Sequence, residues 1–336
     1  MTGEMRVGLF YLFVVSLFWT ALAIVDVWPF RLGSYLSNFL LYCSAWAIFA
    51  SVQSLICLYQ HRPDRPMQFL VNVPFGSKYR QRVRESLPLL VAAILFMPGF
   101  SAMKSAIPLF TDYAWDQSFI NLDVALHGQD PWRILQSVLG YPLATSLISA
   151  AYHFWILLVY AGTIYFAIYV DDRQLRVRYF AACFGIWTVC GVLLATLFAS
   201  VGPCFLEPMM GNSHFADQMT YLNAANERYP VMVIEVQQTL IEWHEKGSHG
   251  LGRGISAMPS MHVALSFLFF LAIRQVSRIL GNIFLVFFVI ILVGSVHLAY
   301  HYAVDGYVSI VVTGMIWVLS GFMFRSSAEQ LRAQPQ

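Results

Sequence analysis

An all-α integral membrane protein of about eight transmembrane helices is the fold class predicted by three observations. Of 336 residues, 58% are hydrophobic and only 11% are charged, whereas a soluble domain carries about 25% charged residues. Eight apolar stretches approach the roughly 20 residues that a span needs, and mean hydropathy is +0.63. Basic residues gather in alternate connections between those stretches. The net charge of +2, with no basic stripe interleaved with aromatics, excludes nucleic acid as a partner.

The spans are expected at 7–27, 35–59, 87–109, 142–170, 179–201, 259–273, 279–300 and 304–324. The first is too long for a signal peptide and has no A-x-A cleavage site, so it is retained. The sixth is short, and Ser256–Met258 are expected to extend it. With both termini cytoplasmic, the inside segments hold 14 of the 20 Lys and Arg. The outside segments hold only Arg31, Lys104, Arg133, Arg228, Lys246 and Arg253. Positive charge marks the cytoplasmic side, so this orientation is expected. The inner loop 60–86 is basic and carries prolines, and is expected to lie solvated near anionic headgroups.

Three features then face outward: residues 111–141, the polar loop 202–258, and the turn after Tyr300. In the first, Trp115, Phe119, Ile120, Leu122, Val124, Leu126 and Trp132 alternate with Asp116, Asp123, His127 and Asp130. The pattern predicts one or two short amphipathic helices on the bilayer surface. Cys43, Cys57, Cys183 and Cys190 lie in apolar runs and read as small core residues, while Cys204 lies in a polar region. Five scattered cysteines without a CxxC argue against a disulfide framework or a zinc site.

In this topology His262 begins span six, His297 and His301 end span seven, and Asp305 begins span eight. All four reach the outer interface, although only lysines and arginines set the topology. In Met258-Pro259-Ser260-Met261-His262, proline suits the first turn of a helix. The free N–H groups and the dipole of that turn favour an anion. Ser260 adds a hydroxyl, and His262 stands one step inside, placed to protonate a leaving oxygen. In His301-Tyr302-Ala303-Val304-Asp305, a spacing of four sets the carboxylate against the imidazole on one helical face. A carboxylate holding one ring nitrogen leaves the other free as a nucleophile. The plainer alternatives are a helix start with an incidental histidine and a His–Asp clamp between spans.

Ionisable groups at membrane depth are costly and usually functional. Two other classes use such groups: a transporter with a His–Asp proton relay, and a metal-dependent membrane oxygenase. Relays favour mid-membrane positions, whereas these residues gather at one face. His297 and His301 are four apart, and with Asp305 form a conceivable metal set. The chain has no His-His pair, and His244 and His249 miss the zinc-protease spacing. Neither a metal nor another cofactor is expected.

Together the two motifs resemble the type-2 phosphatidic acid phosphatase superfamily, the lipid phosphate phosphatases. That family's pattern runs K-x6-R-P, then P-S-G-H, then S-R-x5-H-x3-D. The resemblance implies a six-helix core at 87–324, two additional spans and the basic loop at 1–86, and a cytoplasmic tail at 325–336. It implies that His301 attacks phosphorus to form a phosphohistidine, Asp305 orients it, His262 protonates the departing alcohol, and Ser260 helps bind phosphate. Met261 replaces the family glycine. Gly294 and Ser295 stand where Ser-Arg is expected, and Gly202-Pro203 replaces Arg-Pro. Replacement cations are therefore expected at Arg253 first, then Lys104, Arg228 and Lys246. These departures resemble the branch of inositol phosphorylceramide synthases, which pass a phospho-headgroup to a lipid alcohol. That likeness implies a lipid phosphate or phospholipid substrate and a lipid alcohol acceptor, which Asp123 and Trp132 are placed to touch, with His297 as a secondary site residue. A bacterial inner membrane with a periplasmic site, or a Golgi membrane with a luminal one, fits the charge bias.

Overall fold

The computed structural model describes residues 2–28, 31–72, 77–246 and 254–324. Arg253 and the tail at 325–336 therefore lie outside the described residues. All regular structure among the described residues is helical: α1 (Gly3–Ile24), α2 (Leu32–His61), α3 (Pro66–Asn72), α4 (Ser77–Ser105), α5 (Asp116–His127), α6 (Pro131–Leu139), α7 (Pro142–Tyr169), α8 (Arg173–Leu197), α9 (Pro203–Met210), α10 (Ala216–Arg228), α11 (Met232–Glu245), α12 (Met261–Val276), α13 (Arg278–His297) and α14 (Ala303–Met323). Side chains mark several of the starts by accepting orphan backbone N–H groups. Thr2 caps α1, Asp172 caps α8, Ser260 caps α12 and Ser277 caps α13.

Seven of these helices, α1, α2, α4, α7, α8, α13 and α14, are long and apolar enough to cross a membrane. The chain is a multi-pass, all-α integral membrane protein. The expected sixth span, α12, has only 16 residues and so measures about 24 Å, less than the ~30 Å hydrocarbon core. Ser256–Met258 do not extend it, contrary to expectation. The Ala257 N–H donates to the Ser200 carbonyl at 2.9 Å, and the Met258 N–H to Ser200 Oγ at 3.3 Å. These bonds compete with helix formation and draw the chain inward. Irregular backbone survives at membrane depth only where protein buries it, and Ile255, Ala257 and Met258 are buried.

The packing centre is α12, which lies against α13, α14, α8 and α7. Its inward residues, among them Val263, Ala264 and Leu268, are fully buried. α1 packs along α4. The polar loop 202–258 forms three short helices, α9 to α11. Phe205, Leu206, Leu222, Val233 and Ile234 anchor them by burial. Cys204 is buried there too, while Cys43 is exposed on α2. Exposure thus reverses the expected settings of those two cysteines.

The amphipathic region 111–141 does form two helices, α5 and α6, but the aspartates face the protein. Asp116 and Asp123 are buried, whereas Leu122, Leu126 and Val138 are exposed. Phe119, Ile120 and Trp132 are buried beside them, so only the outer apolar residues are free to meet lipid, and the carboxylates serve the bundle.

Many of the arginines behind the charge bias also hold the bundle together. Fully buried Glu4 receives Arg173 at 2.7 Å and Arg176 at 3.2 Å. Arg176 also reaches Glu85 at 3.1 Å. Arg82 pairs with Asp171, and Arg178 donates to the Trp317 carbonyl at 2.9 Å. Removing one member of a buried ion pair leaves the other charge uncompensated, at about 3–5 kcal/mol. Arg176 is 1% exposed but keeps Glu85 as a partner, so Glu4→Ala is expected to lower stability by less than that, about 1–3 kcal/mol. Denaturant unfolding of the purified variant in detergent checks this, and unchanged stability refutes it.

Candidate active site

The site forms where two connections meet: the segment 254–260 before α12 and the turn 298–302 between α13 and α14. The turn is pinned from several directions. The Tyr300 and His301 N–H groups both donate to the Ser295 carbonyl, at 3.1 and 3.0 Å. Ala299 adopts a left-handed φ of 60°, and its carbonyl accepts from Cys204 N–H at 2.8 Å. Gln218 Nε2 donates to the Val296 carbonyl at 2.8 Å and Gln237 Nε2 to that of Leu298 at 3.0 Å. The helices α9 to α11 are therefore a brace for this turn.

His301 is the turn's product. Its Nδ1 lies 2.8 Å from the Ala257 carbonyl and 3.2 Å from Asp305 Oδ2. A carbonyl only accepts, so Nδ1 carries the proton and Nε2 keeps its lone pair. Burial, followed by the Lys104 ammonium, pushes the His301 pKa down to about 3. The ring is thus neutral at physiological pH. The His–Asp contact exists, but not on one helical face as the spacing suggests. His301 lies before α14, and Asp305 is in its first turn. Asp305 Oδ2 also accepts from the Tyr302 N–H at 3.0 Å, which ties the carboxylate to the helix start.

His262 faces His301 with ring centroids 6.4 Å apart. Tyr152 and Trp155 of α7 lie against the His262 ring, each at 4.1 Å between centroids, and fix its plane. Ser260 is fully buried and caps α12, accepting from the Val263 N–H at 3.4 Å. Pro259 consequently falls just outside the helix and not in its first turn.

Among the proposed cations, the structure brings Lys104 to the histidines. It ends α4 and contributes to the electrostatics of His301. Gly254, at φ +127°, presses so closely on α4 that a Cβ there would meet Ser105 N at 2.8 Å. The neighbour of Arg253 thereby abuts Lys104, although Arg253 itself lies outside the described residues. Arg228 is exposed in the last turn of α10. Exposed Lys246 pairs with Glu242 at 3.2 Å. Neither is brought to the histidines by any described bond.

The positions of the absent family arginines are closed. A Cβ at Gly202, whose φ is +91°, would meet the Tyr300 carbonyl oxygen at 2.7 Å. Ser295 is fully buried and donates to the Leu292 carbonyl at 2.7 Å. Neither setting has room for a guanidinium.

His297 and Asp123 have structural partners. His297 Nε2 lies 2.9 Å from Thr145 Oγ1, joining α13 to α7. Asp123 accepts from the Ala303 and Val304 N–H groups at 2.8 and 3.0 Å, so it caps α14, and with Trp132 and His301 it lines a small cavity. Burial raises its pKa. Trp132 is buried, with the Arg133 guanidinium 4.5 Å over its ring. Among the described residues no three His, Cys, Asp or Glu gather as a metal set.

Sequence reasoning missed four contributors. Asp116 accepts from Val201 N–H at 3.0 Å, Gly202 N–H at 2.9 Å and the Tyr302 hydroxyl at 2.8 Å. Ala257 fixes the His301 tautomer through its backbone, which no side-chain motif signals. Trp155 Nε1 and Ser256 Oγ are buried donors without a hydrogen-bond partner, the first on the ring against His262 and the second next to Ala257 in the chain. The charge-assisted bonds of Asp116 predict that Asp116→Ala loses about 2–3 kcal/mol of unfolding free energy. Asp116→Asn is expected to lose less, and thermal unfolding of the two variants compares them.

No curated protein and no solved structure matches the chain. A family model described as the PAP2 superfamily matches residues 117–319, which is 203 of the 336 residues. The match takes in both connections, His262, His301 and Asp305. The chain belongs to the PAP2 superfamily, a membership that supports a phosphatase-type membrane enzyme acting on a lipid phosphate in the bilayer.

Proposed function

We propose that the protein transfers a phosphoryl or phospho-headgroup from a lipid phosphate or phosphodiester through a covalent intermediate on His301. The observation that carries this reading is the Nδ1 hydrogen bond to Ala257, because it puts the proton on Nδ1 and leaves the Nε2 lone pair free. The His301 Nε2 lone pair forms the N–P bond as the P–O bond to the leaving alcohol breaks. His262, protonated as the phosphate group enters beside it, gives that proton to the departing oxygen. A water or lipid alcohol then yields its proton to His262 and attacks phosphorus, which releases His301. Asp305 offsets the positive charge on the phosphorylated ring.

Charge on the transferring group needs preorganised donors. Lys104 is the cation assigned to it, with Ser256 Oγ, Trp155 Nε1 and the N–H groups opening α12 as neutral donors. Arg253 is a second cation for this role, by its adjacency to Gly254. No step calls for a metal. The core of this chemistry is 87–324, with 1–86 and 325–336 as additions, and the histidines are assigned to the outer face with both termini inside.

The test is incubation of purified protein, in EDTA, with radiolabelled lipid monophosphates and phosphodiesters, with and without ceramide or diacylglycerol. Free phosphate identifies a phosphatase. A new labelled lipid that requires the acceptor identifies a transferase, the outcome that the inositol phosphorylceramide synthase resemblance favours. His301→Ala is expected to lose turnover on the order of 10⁴-fold, and His262→Ala about 10²–10⁴-fold. Normal turnover by folded His301→Ala overturns the proposal.

The neutral His301 also sets a pH expectation. Its lowered pKa of about 3 means that it loses nucleophilicity only below that pH. Histidine ordinarily titrates near ~6.5, so phosphoenzyme formed at each pH and quenched in alkali, where the N–P bond survives, should persist well below that value. Removing the ammonium raises the pKa of His301, so Lys104→Gln should move the acid limb upward. A limb at the ordinary histidine value in both proteins refutes this electrostatic assignment.

A further inference from the structure

About 36 Å along α4 from Lys104, taking 24 residues at 1.5 Å each, a second site opens at the arginine-rich end. A groove of about 430 Å³ runs between α2, α4 and α7. Its apolar wall includes Tyr42, Trp46, Leu90, Ile94 and Ile164, and Arg80 and Arg84 stand at its mouth. The volume falls in the range of built ligand sites.

The groove lies between two hydrogen-bonded clamps on α2, where Tyr42 and Phe49 rest on Tyr160, Tyr165 and Tyr169 of α7. Asn38 Nδ2 donates to the Ile94 carbonyl at 2.9 Å, while Tyr160 donates to Asn38 Oδ1 at 3.0 Å. Toward the other end, Gln53 bonds the Tyr79 hydroxyl. The clamps lie 15 residues apart on both helices, about 22 Å. Between them Cys43 is exposed, and only 11% of α2's apolar window is buried. That is the lowest share among the seven spans.

An apolar concavity opening into hydrocarbon is filled by acyl chain, since water gains nothing there. The mouth selects the head. Asp171 holds Arg82, Glu4 and Glu85 hold Arg173 and Arg176, and the Trp317 carbonyl holds Arg178. Gln81 donates to Glu85 as well, so the nearby carboxylates are engaged. Arg80 and Arg84 are exposed and make no ion pair among the described residues. They are four apart on one helical face, and guanidinium pairs suit phosphate oxygens.

We propose that this groove is a binding site for an anionic phospholipid of the leaflet opposite the histidines. One acyl chain lies between α2 and α4, and the headgroup phosphate lies on Arg80 and Arg84. The bound lipid completes the packing of α2, a role separate from the substrate site.

The test uses the full-length protein in mixed phosphatidylglycerol and phosphatidylcholine nanodiscs, followed by native mass spectrometry of the lipid that stays bound. Retention of phosphatidylglycerol over phosphatidylcholine is expected. Arg80→Gln/Arg84→Gln should lower that preference roughly tenfold or more, given the strength of basic residues near anionic surfaces. Cys43→Trp, which fills the groove and leaves the charges, should lose retained lipid as well. Arg62→Gln/Arg65→Gln removes exposed charge beyond the groove and should leave retention intact. Equal retention of the two lipids, unchanged retention in Cys43→Trp, or the same loss in Arg62→Gln/Arg65→Gln overturns the proposal.

Discussion

The hydrogen bond between His301 and the Ala257 carbonyl is the constraint on which the site depends. It joins two connections separated by more than forty residues and selects the ring's tautomer in the same contact. A side-chain acceptor alone would leave the segment before α12 free to continue the helix. Instead Ala257 is extended, its N–H bonded to Ser200 and its carbonyl to His301. That explains why α12 is too short to span the bilayer by itself. The helix gives up a turn so that a carbonyl can face the imidazole.

The surrounding structure is organised to hold that contact still. Asp116 and Asp123 approach from α5 and meet the start of α14 and the chain at Gly202. Gln218 and Gln237 approach from the cap and meet carbonyls at the end of α13. In each case a buried side chain satisfies backbone groups that the helix end leaves open. A turn with so many satisfied groups has few alternative conformations, which is what a nucleophile needs if it is to be positioned before substrate arrives.

This division explains what was legible in the sequence. Long apolar runs announce spans by length, and the structure returns seven of them. The histidine pair and Asp305 were legible because ionisable residues are conspicuous in apolar surroundings. Backbone partners carry no residue signature, so Ala257 could not be found this way. Asp116 and Asp123 were visible, but not the backbone groups that they cap. Alternation shows that a helix has two sides, and here the buried side holds these aspartates together with Phe119 and Ile120. The arginines were incompletely read in a related way. Charge counting treats Arg82, Arg173, Arg176 and Arg178 as a solvated signal, whereas each has a partner within the bundle.

The closed arginine positions bear on how this site departs from the family pattern. At Gly202 the backbone is left-handed and pressed against Tyr300, and at Ser295 the side chain is sealed beneath the turn. These features serve the turn that presents His301, and a Cβ at Gly202 would already press on the Tyr300 carbonyl. A cation for phosphate must therefore approach from a different element. α4 supplies one, Lys104, at its last turn, and Gly254 abuts that same turn. Lys104 offers a compact charge and not a planar fork. A single ammonium fixes the position of an anion but not the orientation of its oxygens, so orientation falls to the donors around it.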